Sequence, residues 1–112
     1  MEKSESRIQQ ECVQWFRNKC IVEGLPYLLL SIPNDNQKFL KGTGLLKGAS
    51  DLIMVVEKNV FWIEMKTPTG RQSPEQKNFE LSVNVLGFDY LLFRSLEEFQ
   101  EWTSSYVFNQ NL

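Results

Sequence analysis

The sequence contains no histidine. That excludes a histidine general base, a Ser-His or Cys-His nucleophile pair, and a zinc site built on imidazole. Cysteine is scarce, with Cys12 and Cys20 the two present. They fall eight positions apart in a stretch that reads as helix, so their Cα atoms stand ~12 Å apart, too far for a disulfide. Two thiols at that spacing do not make a zinc site either. Long apolar runs are missing: none approaches the ~20 residues of a membrane-spanning helix. The opening MEKSESRIQQ lacks the apolar stretch of a signal peptide. This predicts an intracellular protein, in a bacterial cytoplasm or, for a viral chain, in that of the infected host. Proline and glycine are few, at four and six residues, which argues against a low-complexity chain.

Charge of one sign is lacking too. The net charge is −2, which does not announce a nucleic-acid partner. Its distribution says more. The region between the N-terminal helix and Phe88 holds seven bases against six acids, and two of those acids are Asp51 and Glu64. A cation neutralising that pair would leave the region clearly positive. Ordinary surface charge accounts for the same distribution.

What is present suffices for one compact domain of 112 residues. The expected organisation is a single domain over 1–105 and a loose tail over 106–112. Ile8, Cys12, Phe16 and Cys20 recur every four residues and predict an amphipathic helix from Ser4 to about Val22, ended by Gly24 and Pro26. Tyr27–Ile32 reads as a buried strand. Residues 33–50, PNDNQKFLKGTGLLKGAS, read as a long loop, of a length more often functional than not. Asp51–Val56 and Val60–Lys66 read as a hairpin. Ser73-Pro74-Glu75-Gln76 is a helix start, with Ser as N-cap, Pro in the first turn and Gln closing a capping box. That helix runs to about Leu86, before Gly87. FDYLLF is a fourth strand, and Ser95 with Glu98 suggests a second capping box and a last helix to about Ser105. The order is αβββαβα, which predicts an α/β fold: a mixed sheet flanked by helices, with a parallel crossover between the third and fourth strands.

The hairpin carries the chemistry. With a two-residue turn at Lys58-Asn59, Asp51 stands opposite Lys66 and Ile53 opposite Glu64. Asp51, Glu64 and Lys66 then share one face, with Asp51 and Glu64 diagonal neighbours ~7–8 Å apart at Cα. Two carboxylates on a half-buried surface repel unless a cation compensates, and hard cations such as Mg²⁺ or Mn²⁺ take oxygen ligands. Lys66 beside them adds a positive charge suited to a phosphate oxygen or an attacking water. A plain ion-pair cluster at a strand end is the competing reading.

The ordered set Lys47-Gly48, Ser50-Asp51, Glu64-Met65-Lys66, Thr67-Pro68, Gly70-Arg71 and Ser73-Pro74-Glu75-Gln76, with Glu64 thirteen positions after Asp51, resembles the VRR-NUC (virus-type replication-repair nuclease) family of the PD-(D/E)XK superfamily. The resemblance spans roughly residues 30 to 95. It implies a restriction-endonuclease-like αβββαβ core. It also implies a Mg²⁺- or Mn²⁺-dependent endonuclease hydrolysing DNA, selective for branched substrates such as four-way junctions, and working as a homodimer. Asp51 and Glu64 would be metal ligands with the Met65 carbonyl, Lys66 the catalytic lysine, and Gln76 part of the active site. Ser50 departs from the pattern, standing where the superfamily name has proline. A non-catalytic nucleic-acid-binding module on the same fold is the alternative.

Further assignments stand open on the residues themselves. Gln76 heads the helical stripe Phe79, Val83 and Leu86 and needs a partner; it can cap the helix, reach the site, or do both. Glu11, on the border of the first helix's apolar face, is the candidate to complete the metal shell, since Glu5 stands close to the helix start; solvent exposure is the competing reading. Lys38, Lys41, Lys47 and Arg71 flank the site in sequence and are candidates for phosphate contacts, against solvated loop charge. Phe39 can stack on an exposed base or anchor the loop, and reads as the anchor. Leu81 and Val85 form an outer apolar pair on the same helix, a candidate dimer contact.

Overall fold

Ser4 opens the first helix by accepting from the Arg7 N–H, and Gly24 closes it in the left-handed conformation that glycine takes freely. Between them α1 (Glu5–Glu23) buries Ile8, Cys12, Phe16 and Cys20. The computed structural model describes residues 2–32, 44 and 46–108; Lys38, Lys41 and Phe39 lie outside the described residues. The remaining elements are β1 (Tyr27–Ser31), β2 (Leu52–Val56), β3 (Asn59–Met65), α2 (Pro74–Val85), β4 (Asp89–Phe93) and α3 (Leu96–Tyr106). The four strands form one sheet in the order β1-β2-β3-β4. The first two pairings are antiparallel, and β3 pairs with β4 in parallel across the α2 crossover.

Strand alternation divides the sheet. Leu52, Met54 and Val56 of β2 and Phe61, Ile63 and Met65 of β3 are buried in the main core with the α1 stripe, Phe93 and Phe99. Phe16 meets Phe99 edge-on, and Phe99 meets Phe93, so α1 and α3 pack on this face. The opposite face belongs to α2: Phe79 sets its ring against Trp62 of β3 and Tyr90 of β4. Among the described residues, no helix is long and apolar enough to cross a membrane. Cys12 and Cys20 are free and buried, and burial pushes their thiols up to about 12 and about 11.

Two expectations are corrected. The hairpin turn falls at Glu57-Lys58, one residue earlier than expected: Val56 pairs with Asn59 and Ile53 with Trp62. Glu57 takes the left-handed φ of 54° that the tight turn needs, and Asn59 joins the strand instead. The tail is not loose through 106–108. Tyr106 ends α3, Val107 is fully buried, and the Phe108 ring meets Trp15 and Phe16. Apolar area on α1 supplies a docking site that the short tail segment can cover.

Candidate active site

Asp51 precedes β2, and continuing the β2–β3 register by one pair sets it directly across from Glu64 rather than diagonal to it. Its carboxylate accepts from the Met65 N–H at 2.7 Å, which ties it to the end of β3. Its own carbonyl accepts from the Ile32 N–H at 2.9 Å, the last link to β1. Ser50, at the position where proline was expected, is buried and donates through its hydroxyl to the Leu52 carbonyl. The serine thereby fastens the approach to Asp51 by a hydrogen bond instead of a ring. Gly48 presses against α2: a Cβ there would lie 2.4 Å from the Glu75 carbonyl carbon. Only glycine fits that approach, and its φ of +86° is also left-handed.

Glu64 is wholly buried, at 0 % exposure, and Lys66 nearly so at 6 %. Both Glu64 oxygens have donors. Gln76 Nε2 donates to Oε2 at 2.8 Å and the Tyr90 hydroxyl to Oε1 at 3.2 Å. Gln76 at the same time accepts from the Ser73 N–H at 2.8 Å and closes the capping box, so it caps the helix and reaches Glu64, where Lys66 or a water was the expected partner. The Lys66 ammonium lies 3.6 Å from Glu64 Oε2 and 3.8 Å from Glu5 Oε2. Burial, with the Asp51 charge next, pushes the Glu64 carboxyl up to about 8, against the opposing pull of Lys66 and the Tyr90 hydrogen bond. Burial raises the Tyr90 hydroxyl as well, so it stays a donor.

The third acid is Glu5, not Glu11. Carboxylate oxygens of Glu5, Asp51 and Glu64 lie within 4.8 Å of one another. Glu11 has both oxygens engaged elsewhere, at 2.8 Å to Lys3 and 3.0 Å to Arg7. The Lys3 hydrogen bond, reinforced by Arg7, holds its carboxyl below the usual range. The reason is rotational. At ~100° per residue, Glu5 projects along the middle of the arc of Ile8, Cys12, Phe16 and Cys20, while Glu11 sits about a third of a turn away. Starting the helix at Ser4 leaves Glu5 already helical and facing the sheet end.

Of the two candidate phosphate contacts within the described residues, Lys47 is exposed and 3.9 Å from Glu75, and Arg71 is exposed beyond the β3 end. The segment between Lys66 and Arg71 is held by Arg94, whose Nη1 donates to the carbonyls of Thr67 at 2.7 Å and Gly70 at 2.8 Å.

Oxygen-only donors from α1, β3 and the residue before β2, one of them a buried carboxylate held above its usual range, fit a hard divalent cation. The fold that carries this site has a solved counterpart. A structure described as a VRR_NUC domain superposes with a TM-score of 0.66, covering 91% of this chain and 96% of the other at 17% identity. The chain has the VRR_NUC fold. No protein-family model matches the sequence, and no curated protein does. The αβββαβα order expected from the sequence is the order the structure shows.

Proposed function

We propose that this protein is a divalent-metal-dependent DNA endonuclease, cutting phosphodiester bonds at the site formed by Glu5, Asp51, Glu64 and Lys66. The observation that carries the proposal is the meeting of three carboxylates within 4.8 Å beside a buried lysine. Glu5, Asp51 and Glu64 would hold a Mg²⁺ or Mn²⁺ ion, with the Met65 carbonyl as a further candidate ligand, and the ion would supply Lewis acidity toward a phosphate oxygen and a water. Lys66 brings a fixed charge and N–H donors to a phosphate oxygen or to the attacking water, and its burial shields it from bulk solvent. Gln76 holds Glu64 at Oε2, and the Met65 N–H holds Asp51, so both carboxylates meet substrate already oriented. Lys47 and Arg71 are the cations available for backbone phosphates, which position a nucleic acid without reading its bases.

Branched DNA, four-way junctions in particular, and a homodimer complete the proposal. Leu81, Val85 and Leu86 are 63 %, 76 % and 73 % exposed on the outer side and end of α2, and Phe88 extends the patch. Leu86, expected on the buried stripe, joins the outer surface because the helix ends at Val85. A two-fold pairing through this patch would cover it and set two sites in symmetric register for paired cuts.

The test is cleavage of linear duplex, flap and four-way-junction DNA with Mn²⁺ or Mg²⁺. Metal-dependent cutting is expected, and Asp51→Ala, Glu64→Ala and Lys66→Ala should each abolish it. Asp51→Ala and Glu64→Ala should also weaken Mn²⁺ binding, whereas Lys66→Ala should not. DNA binding with no cleavage under any metal would favour a non-catalytic module.

A further inference from the structure

The hydrogen bond from Tyr90 to Glu64 is the end of a longer chain. Gln72 Nε2 lies 3.3 Å from the Tyr90 hydroxyl oxygen and donates to Glu80 Oε1 at 3.0 Å. The direction of the chain follows from its far end. Glu80 Oε1 accepts from the Gln72 amide, so the NH₂ side of that amide faces both Glu80 and Tyr90. The Tyr90 oxygen then accepts from Gln72, and its single proton points at Glu64 Oε1. The ring itself is fixed edge-on to Phe79, 6.2 Å between centroids. Glu64 is thus held at Oε1 by Tyr90, while Oε2 accepts from Gln76 and is the oxygen near Lys66.

We propose that Tyr90, backed by Gln72 and Glu80, is a positioning residue that fixes the rotation of the Glu64 carboxylate and so presents Oε2 to the cation. The proposal rests on reading Glu5, Asp51 and Glu64 as a divalent-cation site. A carboxylate held at one oxygen turns about its last torsion with little resistance; one held at both does not. Groups that orient a metal ligand from behind are worth about 10–100-fold in metal affinity. The chain draws on three separate pieces of the protein: the segment before α2 (Gln72), α2 itself (Glu80) and β4 (Tyr90). Its convergence on the most buried acid of the site is what a positioning device requires.

Tyr90→Phe removes the hydroxyl and keeps the ring on Phe79. Mn²⁺ alone is titrated calorimetrically into the full chain, and cleavage is then followed against Mn²⁺ concentration. A roughly tenfold or greater loss of Mn²⁺ affinity is expected, with the cleavage rate largely restored at saturating Mn²⁺. Gln72→Leu, which leaves the hydroxyl in place but frees its direction, should weaken Mn²⁺ by about threefold, less than the loss of the hydroxyl itself. A merely structural role would lower the melting temperature of the metal-free protein and leave the affinity of the folded protein unchanged. Wild-type Mn²⁺ affinity in Tyr90→Phe overturns the proposal while the metal site stands. Should Tyr90→Phe not fold, unchanged affinity in Gln72→Leu overturns it equally. A wild-type chain that binds no Mn²⁺ overturns the site and the proposal together.

Discussion

Cation binding at this site should release a proton, and Glu64 sets how much. Its carboxyl is pushed up to about 8 in the metal-free protein, chiefly by burial and then by Asp51. At pH 7 such a group is roughly nine-tenths protonated, yet only the carboxylate binds a cation. Uptake of Mn²⁺ at pH 7 should therefore expel about 0.9 proton, falling to about half at pH 8 and about 0.1 at pH 9. Apparent affinity should fall close to tenfold for each pH unit below 8 and level off above it. Calorimetry at pH 7 in two weakly coordinating buffers of different ionisation enthalpy measures the released proton directly, as the slope of observed heat against buffer enthalpy. Equal heats in the two buffers would refute the reasoning, because they would mean that Glu64 is already ionised or takes no part in binding. Glu64→Gln gives the control: whatever binding survives should release no proton.

The same carboxyl governs stability without metal. In the unfolded chain it titrates near 4.5; in the folded protein near 8. Between those values the folded state keeps a proton that the unfolded state has lost, so raising the pH from 4.5 to 8 favours unfolding. About 3.5 units at ~1.4 kcal/mol each sets a ceiling of roughly 5 kcal/mol, approached above pH 8. The difference between wild type and Glu64→Gln in urea denaturation at pH 5 and pH 8.5 isolates the effect. The wild type should lose stability relative to the variant as pH rises, and added Mn²⁺ should remove the difference. A wild type that gained on the variant over that interval would reverse the sign and rule out a raised carboxyl.

Glu5→Gln should raise the Mn²⁺ concentration required for cleavage by about tenfold or more, while Glu11→Gln should leave the metal titration where it is; the opposite result would restore Glu11 to the site. Gly48→Ala forces a Cβ into the Glu75 backbone at 2.4 Å on a left-handed φ. It should lower stability by about 2 kcal/mol or more in denaturant melts; a loss under 0.5 kcal/mol would show that the loop shifts freely. Arg94→Ala leaves the Thr67 and Gly70 carbonyls without their charged donor and should cost about 1.5–3 kcal/mol, with faster amide exchange at Gly70. Light scattering at micromolar concentration should give twice the 13.1 kDa chain mass. Leu81→Glu should shift the protein to monomer; a dimer that survives this change places the contact away from α2.

What the sequence disclosed divides along the range of the interactions involved. Ser73 and Gln76 are three residues apart, and their reciprocal cap was legible because both partners lie within one turn. Ser95 and Glu98 have the same spacing, but there the Glu98 carboxylate reaches past the cap to the Arg94 N–H at 2.7 Å, a choice that local spacing does not settle. The hairpin shows why a wrong register did no harm to the site. Moving the turn by one residue shifts every cross-strand partner by two, which preserves the face. Asp51 and Glu64 stay on one side of the sheet either way, and only their diagonal placement became direct opposition. Tyr90 could not be placed in that way. Its partnership with Glu64 depends on the parallel register of β3 and β4, with Trp62 beside Tyr90, and that register is set by how the α2 crossover packs, not by any turn.

Glu5 was legible in principle. It heads the line Ile8, Cys12, Phe16 and Cys20, an acid on the center of an otherwise apolar stripe. The border position of Glu11 suggested half-burial, but a border acid on a helix surface meets its own neighbours first, here Lys3 and Arg7. An acid at the center of the stripe has no such outlet. It is directed past the core at the end of β3, where its carboxylate stands 3.8 Å from the Lys66 ammonium. Being close to the helix start then counts in favour of Glu5, because the first turn overhangs the end of the sheet where the core stops and polar groups can meet. The lysine that follows β3 and the acid that opens α1 therefore meet where the core between their elements ends.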